Sequence, residues 1–158
     1  MLSLLFTALA FGFACGAVPF GYFVGRFRGI DIRQAGSGNI GFTNVARVLG
    51  WPYAAPVLLL DFAKGLLPTA FVASITLNYL VPAGDAVLLP RLFGSGLILL
   101  KVTAGLGAIV GHMFTPVLRF RGGKGVATTA GVIVALSPLA FAVCLLAFGC
   151  HLFCLLLL

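Results

Sequence analysis

Long apolar stretches broken by only a few charged residues are the feature that most limits what this chain can fold into. Of its 158 residues, 61% are hydrophobic and 8% are charged, and the mean hydropathy is +1.19. A soluble domain needs more polar surface than this composition supplies. Spans of about 20 residues leave room for four or five. The sequence therefore predicts an all-α, polytopic membrane helical bundle that forms a single domain over residues 1–158.

The charged residues are mostly basic, and they are clustered. The chain has ten Lys and Arg residues and three acidic residues, for a net charge of +7. The basic residues form two clusters, at residues 26–47 and 119–124. By the positive-inside rule these groups lie in the cytoplasm, which puts the N-terminus outside. Basic surfaces this small, set between spans, suit anionic lipid headgroups or a phosphorylated substrate. Nucleic acid is not an expected partner, and the pattern carries no signal for an oligomeric state.

Five hydrophobic segments are predicted, at residues 2–25, 51–80, 92–118, 126–136 and 138–158. The first has its positive charges after it, which favours a retained span over a cleaved signal peptide. The last 33 residues would form a helix of about 50 Å, too long for a hydrocarbon core of about 30 Å. A break at Ser137 and Pro138 is therefore expected, with residues 126–136 as a short half-helix.

Neither a metal nor a redox cofactor is expected. The four cysteines, Cys15, Cys144, Cys150 and Cys154, lie in apolar stretches without a CxxC pair, as is typical of cysteines that act as ordinary small hydrophobes. The three acidic residues are scattered along the chain, whereas a catalytic cation requires them clustered.

Two glycine-rich segments, GSGNIGFTN at residues 36–44 and RFRGGKG at 119–125, are predicted on the same cytoplasmic face. GSGNIG fits the dinucleotide pattern GxGxxG, but no apolar strand precedes it and no soluble βαβ unit surrounds it. GGKG lacks the first glycine and the Ser or Thr of a P-loop. Neither nucleotide fold is supported.

The chemistry that remains is anion binding, because glycines let successive backbone amides converge on one anion. Side chains in both segments can add hydrogen bonds or positive charge, and a helix beginning near residue 126 would add its dipole. The candidates are Ser37, Gly38, Asn39, Thr43 and Asn44 in the first segment with Arg47 just after it, and Gly122, Gly123, Lys124 and Gly125 in the second. The alternative interpretation is two ordinary glycine-rich turns with snorkelling basic side chains.

Three polar residues fall inside predicted spans. Asp61 and Lys64 share a helix face, so they can neutralise each other as a structural pair or reach a polar cavity below the loops. His112 can accept a proton from an alcohol or serve as an interhelical hydrogen-bonding group. The fifth residue after His112 is Val117, which excludes acyltransferases built on an H-x-x-x-x-D motif.

Three longer motifs carry a family resemblance: AGSGNIGFTNVARVLG at 35–50, DFAKGLLP at 61–68 and GHMFTPVLRFRGGKGVATTAGV at 111–132. In this order they resemble the bacterial acyl-phosphate:glycerol-3-phosphate acyltransferases, the PlsY family. The resemblance implies a plasma-membrane enzyme that transfers a fatty acyl group from acyl phosphate to the 1-hydroxyl of glycerol 3-phosphate, forming lysophosphatidate.

By motif position, the resemblance assigns the first-segment candidates to one phosphate or glycerol site. It assigns residues 122–125 with Thr128 to another, and which substrate each site binds stays open. Lys124 and Arg47 would offset the repulsion between two anionic substrates and stabilise the developing oxyanion. The base is either His112 or a phosphate oxygen of a substrate, and the sequence favours the substrate because it offers no orienting partner for His112.

The resemblance also implies further C-terminal spans and a motif containing His, Asn and Glu, which this sequence lacks. A natural short form, a truncated product and a fragment all stay open. So do two other functions, a membrane protein that binds or transports lipid phosphates without catalysis and an inactive remnant.

Overall fold

The computed structural model of the chain describes residues 1–75 and 96–156. The predicted outer connection, with the end of the second predicted span and the start of the third, lies outside these residues. In the described part every regular element is helical, which confirms the all-α prediction. The helices are α1 Leu2–Gly16, α2 Phe20–Phe27, α3 Phe42–Leu49, α4 Trp51–Ile75, α5 Leu97–Met113, α6 Val126–Leu136 and α7 Pro138–Leu156.

Three stretches are long and apolar enough to cross a membrane, Leu2–Phe27, Trp51–Val72 and Leu97–Leu118. Helix α6 has 11 residues and so a length of about 16 Å, roughly half of a hydrocarbon core. The predicted half-helix is confirmed. So is the break after it, where Ser137 Oγ accepts a hydrogen bond of 3.2 Å from the amide of Ala140 in the first turn of α7.

The first span is broken, although the sequence analysis treated it as continuous. Pro19 has no amide hydrogen and separates α1 from α2, so carbonyls before it lose their helical partners. Thr115 Oγ1 donates to the carbonyl of Ala17, and Lys64 Nζ donates to that of Val18 at 2.8 Å. An unpaired carbonyl inside a bilayer costs several kcal/mol. The break therefore depends on polar side chains that lie far away in the sequence.

Small residues allow the spans to pack with their backbones almost touching. Helix α1 packs along α5, and α4 packs along α6. A Cβ at Gly12 would overlap the carbonyl oxygen of Ala104, and one at Gly65 would overlap that of Thr128. This small-residue packing is typical of helices in membranes, and it fixes α4, α5 and α6 around a common centre.

The segment between the first two spans has a core of its own. Ile32, Ile40 and Val45 are buried against Ala54 and Val57 of α4. Leu118, which follows α5, completes the same cluster. The two glycine-rich segments are therefore attached to one apolar cluster on one side of the bundle.

Candidate functional site

The first loop, residues 36–44, is organised by the side chain of Asn44. This amide is buried, with 1% of its surface exposed. Its Nδ2 lies 3.2, 3.0 and 2.8 Å from the carbonyl oxygens of Ile32, Ala35 and Asn39. Its Oδ1 accepts from the amide of Ser37 at 2.8 Å. Both N–H groups of the amide and its oxygen bond to backbone groups of residues 32–39, so Asn44 shapes the loop and leaves other side chains to meet a ligand.

Glycine is required where this loop passes Asn44. Gly36 has a φ of 59°, and a Cβ there would overlap Asn44 Oδ1. Asn39 stabilises the next turn, because its Oδ1 accepts from the amide of Gly41 at 2.8 Å just before α3 begins. The turn directs Ser37 and Thr43 toward solvent.

An ion pair lies on the N-terminal side of this loop. Arg33 Nε and Nη2 donate to the two carboxylate oxygens of Asp31 at 2.9 and 2.6 Å. These hydrogen bonds favour the charged carboxylate and lower the pKa of Asp31 from 3.8 to about 2. They also raise the pKa of the Arg33 guanidinium. Asp31 is therefore ionised throughout the physiological pH range.

The second loop, residues 119–125, is held by backbone contacts with the end of α5. The amide of Gly122 donates to the carbonyl of Met113 at 3.0 Å, and that of Gly123 donates to the carbonyl of His112 at 3.1 Å. A Cβ at Gly123 would overlap His112 Nε2. These two amides are occupied, so the anion nest predicted over residues 122–125 is reduced to Lys124 and Gly125.

Beneath the loops, three polar side chains form a buried cluster between α4 and α5. Lys64 Nζ lies 2.8 Å from Asp61 Oδ1, which confirms the predicted pairing. His112 Nδ1 lies 3.7 Å from the same carboxylate oxygen. Neither Asp61 Oδ1 nor His112 Nδ1 has an aligned hydrogen-bond partner within the described part of the chain. Asp61 is the neighbour of His112 that the sequence analysis missed.

A cavity of about 430 Å³ joins all three motifs. The first loop and α3 contribute polar groups, α4 and α5 contribute Asp61 and His112, and the second loop contributes a cation. Its polar lining consists of Ser37, Asn39, Thr43, Asn44, Arg47, Asp61, His112, Lys124 and Gly125. Residues up to 93 positions apart in the sequence, Ser37 and Ala130, thus face one space.

Five of the candidate residues lie outside this lining. Lys64 is buried against Asp61, the Val18 carbonyl and the ring of Phe20. Thr128 is fully buried, and its hydroxyl donates to the Asp61 carbonyl at 3.0 Å. Gly122 and Gly123 pack on the end of α5. Gly38 has a φ of 71° and forms part of the first loop's turn, also away from the lining.

The sequence analysis missed the apolar wall of the cavity, which consists of Phe42, Leu58, Val126, Ala127 and Ala130. Alanines within an apolar helix carry no distinguishing signal, so only their packing against α4 identifies them. The wall changes what the cavity can hold. One side offers two cations and hydroxyl or amide groups to an anion, and the other accepts hydrocarbon.

The described residues do not include a group of three His, Cys, Asp or Glu side chains arranged around a metal ion. What the site offers chemically is two cationic side chains, Arg47 and Lys124, above a buried Asp61–His112 pair. Such a site can bind phosphate groups and stabilise an oxyanion.

Comparisons with known proteins agree on one family. Residues 6–156 match the family model described as glycerol-3-phosphate acyltransferase. A glycerol-3-phosphate acyltransferase of Leptospira borgpetersenii is 44% identical over 137 residues, which cover 85% of this chain and 55% of that protein. One from Methylorubrum extorquens is 45% identical over 139 residues, which cover 87% of this chain and 58% of that protein. The chain thus spans little more than half the length of these curated relatives.

Solved structures agree in fold. The crystal structure of PlsY (YgiH), an integral membrane glycerol 3-phosphate acyltransferase, in its glycerol 3-phosphate form superposes with a TM-score of 0.74 at 33% identity. The match covers 94% of this chain and 66% of that one. The lysophosphatidic acid form of the same protein gives a TM-score of 0.69.

Proposed function

The chain belongs to the glycerol-3-phosphate acyltransferase family, and we propose that it transfers a fatty acyl group from acyl phosphate to the 1-hydroxyl of glycerol 3-phosphate. The products would be lysophosphatidate and inorganic phosphate, at the start of phospholipid synthesis. The partners are these two substrates and the bilayer. The cavity carries the proposal, because a cation from α3, a cation from the second loop and an apolar wall meet in it.

The two substrates make different demands, and the cavity lining meets both. Each substrate carries a phosphate, and only the acyl donor carries a long hydrocarbon chain. Arg47 and Lys124 supply positive charge for the two phosphates, while Ser37 and Asn39 can bind the glycerol hydroxyls. The wall at Leu58, Ala127 and Ala130 is apolar and can accept the acyl chain. Two anions held close together repel each other, so the cations contribute to bringing them within reacting distance.

The reaction balances without a cofactor. The 1-hydroxyl oxygen attacks the carbonyl carbon of the acyl phosphate, and a C–O ester bond forms. The bond between that carbon and the phosphate oxygen breaks, and phosphate leaves with the electron pair. Lys124 or Arg47 stabilises the oxyanion formed between these steps, an effect of about 3–4 kcal/mol for one well-placed donor.

The proton of the attacking hydroxyl passes to a phosphate oxygen or to His112. Asp61 lies near His112 Nδ1 and would orient the imidazole after a small movement, which makes His112 a stronger candidate than its sequence context suggested. The variant His112→Gln distinguishes between these two candidate bases. Turnover within a few-fold of wild type would exclude the histidine as base, whereas a loss of about 10²–10⁴-fold would exclude the phosphate as the sole base.

Other candidates act by positioning. Asn44 holds the first loop, and Thr128 attaches α6 to the backbone of Asp61. Lys64 neutralises Asp61 and stabilises the break in the first span. These residues would affect catalysis through the placement of Arg47, Asp61 and Lys124.

We place the protein in the bacterial inner membrane as a multi-pass protein. The N-terminus would lie outside and both glycine-rich loops in the cytoplasm. Arg28 follows the span Leu2–Phe27, and Arg119 and Arg121 follow the span Leu97–Leu118. These two spans pack in parallel, with Gly12 against Ala104 and Gly16 against Ala108, so the arginines lie at one side of the bundle. Glycerol 3-phosphate would then reach the cavity directly from the cytoplasm.

The proposed function is tested by donor choice. Membranes containing the 158-residue chain are supplied with labelled glycerol 3-phosphate and either palmitoyl phosphate or palmitoyl-CoA. Labelled lysophosphatidate that forms only with palmitoyl phosphate supports the proposal. Correctly inserted protein that binds glycerol 3-phosphate but forms no product with either donor would instead indicate a binding or transport protein.

A further inference from the structure

A second basic surface involves residues of the same two loops but is separate from the cavity. Two depressions of about 510 and 470 Å³ share Arg33 and Arg121. The first is completed by Tyr22, Val117, Leu118 and Arg119. The second is completed by Gln34, Gly38 and Gly122. None of these residues lines the cavity. We call this surface the arginine groove.

The charge of the groove is largely uncompensated. Asp31 pairs with Arg33, but Arg119 and Arg121 take part in no ion pair among residues 1–75 and 96–156. Arg33 also lies over the ring of Tyr22, with Cζ 4.8 Å from the ring centroid. The aromatic ring and the carboxylate hold Arg33 in place, so one side of the groove is rigid before a ligand arrives.

The position of the groove relative to the membrane follows from the ends of two spans. Tyr22 lies near the end of the span Leu2–Phe27, and Leu118 ends the span Leu97–Leu118. The groove therefore lies where hydrocarbon gives way to headgroups. Val117 and Phe120 are 59% and 61% exposed beside the arginines, so apolar and cationic groups occur together. Such a mixture fits a ligand with both a phosphate and a hydrocarbon tail better than it fits a small soluble anion.

The loop that carries two of the arginines has a fixed shape. Arg119 and Phe120 are non-glycine residues with φ of 54° and 62°. The amides of Arg119, Phe120 and Arg121 are all bonded to carbonyls of residues 115–118. Thr115 is in turn attached to the break in the first span. This bonding stabilises the otherwise unfavourable backbone conformation of Arg119 and Phe120. It thereby holds Arg119 and Arg121 beside Arg33.

We propose that the arginine groove binds the phosphate headgroup of an anionic membrane phospholipid, in addition to the substrates of the cavity. Arginine suits this ligand because its planar guanidinium can bind two phosphate oxygens at once. The groove would hold one such lipid against the backs of both loops. The site does not depend on acyl transfer, so binding can be measured whether or not the chain is active.

Native mass spectrometry tests the proposal on the full 158-residue chain in detergent with equimolar phosphatidylglycerol and phosphatidylcholine. We expect wild type to retain one phosphatidylglycerol preferentially and saturably. Arg121→Gln should weaken this retention about fivefold. Arg28→Gln is the matched control, since it removes one charge from the same side but its guanidinium lies over Tyr53, outside the groove. Its retention should stay within about twofold of wild type, and Arg121→Lys should be intermediate because it loses the bidentate geometry.

Three outcomes would overturn the proposal. Equal retention of both lipids would remove the preference for an anionic headgroup. An equal loss in Arg28→Gln and Arg121→Gln would indicate diffuse attraction to a basic face. Release of the lipid by excess inorganic phosphate, with inorganic phosphate then bound, would indicate a soluble-anion site. A melting temperature for Arg121→Gln within a few degrees of wild type confirms that the variant is folded.

Discussion

The two glycine-rich loops face the same cavity, but different groups hold them in place. In the first loop a single buried side chain, Asn44, bonds to four backbone groups. In the second loop the backbone itself bonds to the end of α5, and Gly123 packs directly on His112. The first loop thus depends on one side chain that no substrate needs to touch. The second loop is in direct steric contact with His112, which lies at the site of the proposed reaction.

The largest expected effect concerns the buried cluster of Asp61, Lys64 and His112 beneath the loops. Asp61→Asn leaves Lys64 buried without its counter-charge, which costs about 3–5 kcal/mol. We expect a marked fall in melting temperature in detergent. The double variant Asp61→Asn with Lys64→Gln should recover much of the lost stability, because no unpaired charge remains and the Gln amide can still donate to the Val18 carbonyl. A double variant as unstable as the single one would contradict the ion pair as the cause.

A methyl group in the second loop should damage activity more than stability. Gly123→Ala places a Cβ where His112 Nε2 lies, so either the imidazole or the loop must move. A displacement of about 1 Å at a reacting centre can cost about 10²-fold in rate. The measurement is the rate of lysophosphatidate formation. Gly149→Ala is the control, because Gly149 lies in α7 away from the cavity and a Cβ added there would meet no atom within 4 Å. Equal losses in both variants would contradict steric coupling to His112.

The first loop should show the opposite pattern, with stability affected first. Asn44→Asp removes the donor that serves three carbonyls, and a buried group left without its partner costs about 1–3 kcal/mol. Asn39→Asp is the matched control, because its carboxylate can still accept from the amide of Gly41. Thermal unfolding should show the larger loss for Asn44→Asp. A similar melting temperature for the two variants would mean that Asn44 does not organise the loop.

The smallest effect concerns Asp31 and depends on pH. Arg33 lowers the pKa of Asp31 to about 2. The pair therefore stabilises the folded state fully at pH values above the ordinary carboxyl pKa of 3.8. This stabilisation is lost as the pH falls through the lowered pKa. The melting temperatures of wild type and Asp31→Asn should differ by a constant amount above about pH 5. The difference should shrink at lower pH. A difference that changes between about pH 6 and 8 would require another titrating group.

Much of this arrangement was predictable from the sequence. The half-helix at residues 126–136, the stop at Ser137 and the Asp61–Lys64 pair follow from segment length and from spacing along a helix. The break at Pro19 was missed because proline is tolerated in membrane helices when neighbours supply donors. Those donors, Lys64 and Thr115, are 46 and 98 residues from the carbonyls they bond.

The cavity was predictable in composition but not in detail. The motifs identified Arg47 and Lys124, and the structure places both in its lining. Local sequence does not distinguish an amide that meets a ligand from one that bonds to a carbonyl. The roles of Asn44, Gly122 and Gly123 therefore became clear only from their contacts. The proximity of Asp61 to His112 likewise depends on how α4 packs against α5.

The central claim is that Arg47 of α3 and Lys124 of the second loop act on one reaction, and variant kinetics test it most directly. We would measure kcat/KM for lysophosphatidate formation from acyl phosphate in Arg47→Gln, Lys124→Gln and the control Arg28→Gln. The account predicts losses of about 10²–10³-fold for Arg47→Gln and Lys124→Gln and a change within about threefold for Arg28→Gln. An active enzyme that tolerates the loss of either Arg47 or Lys124 would contradict a shared site.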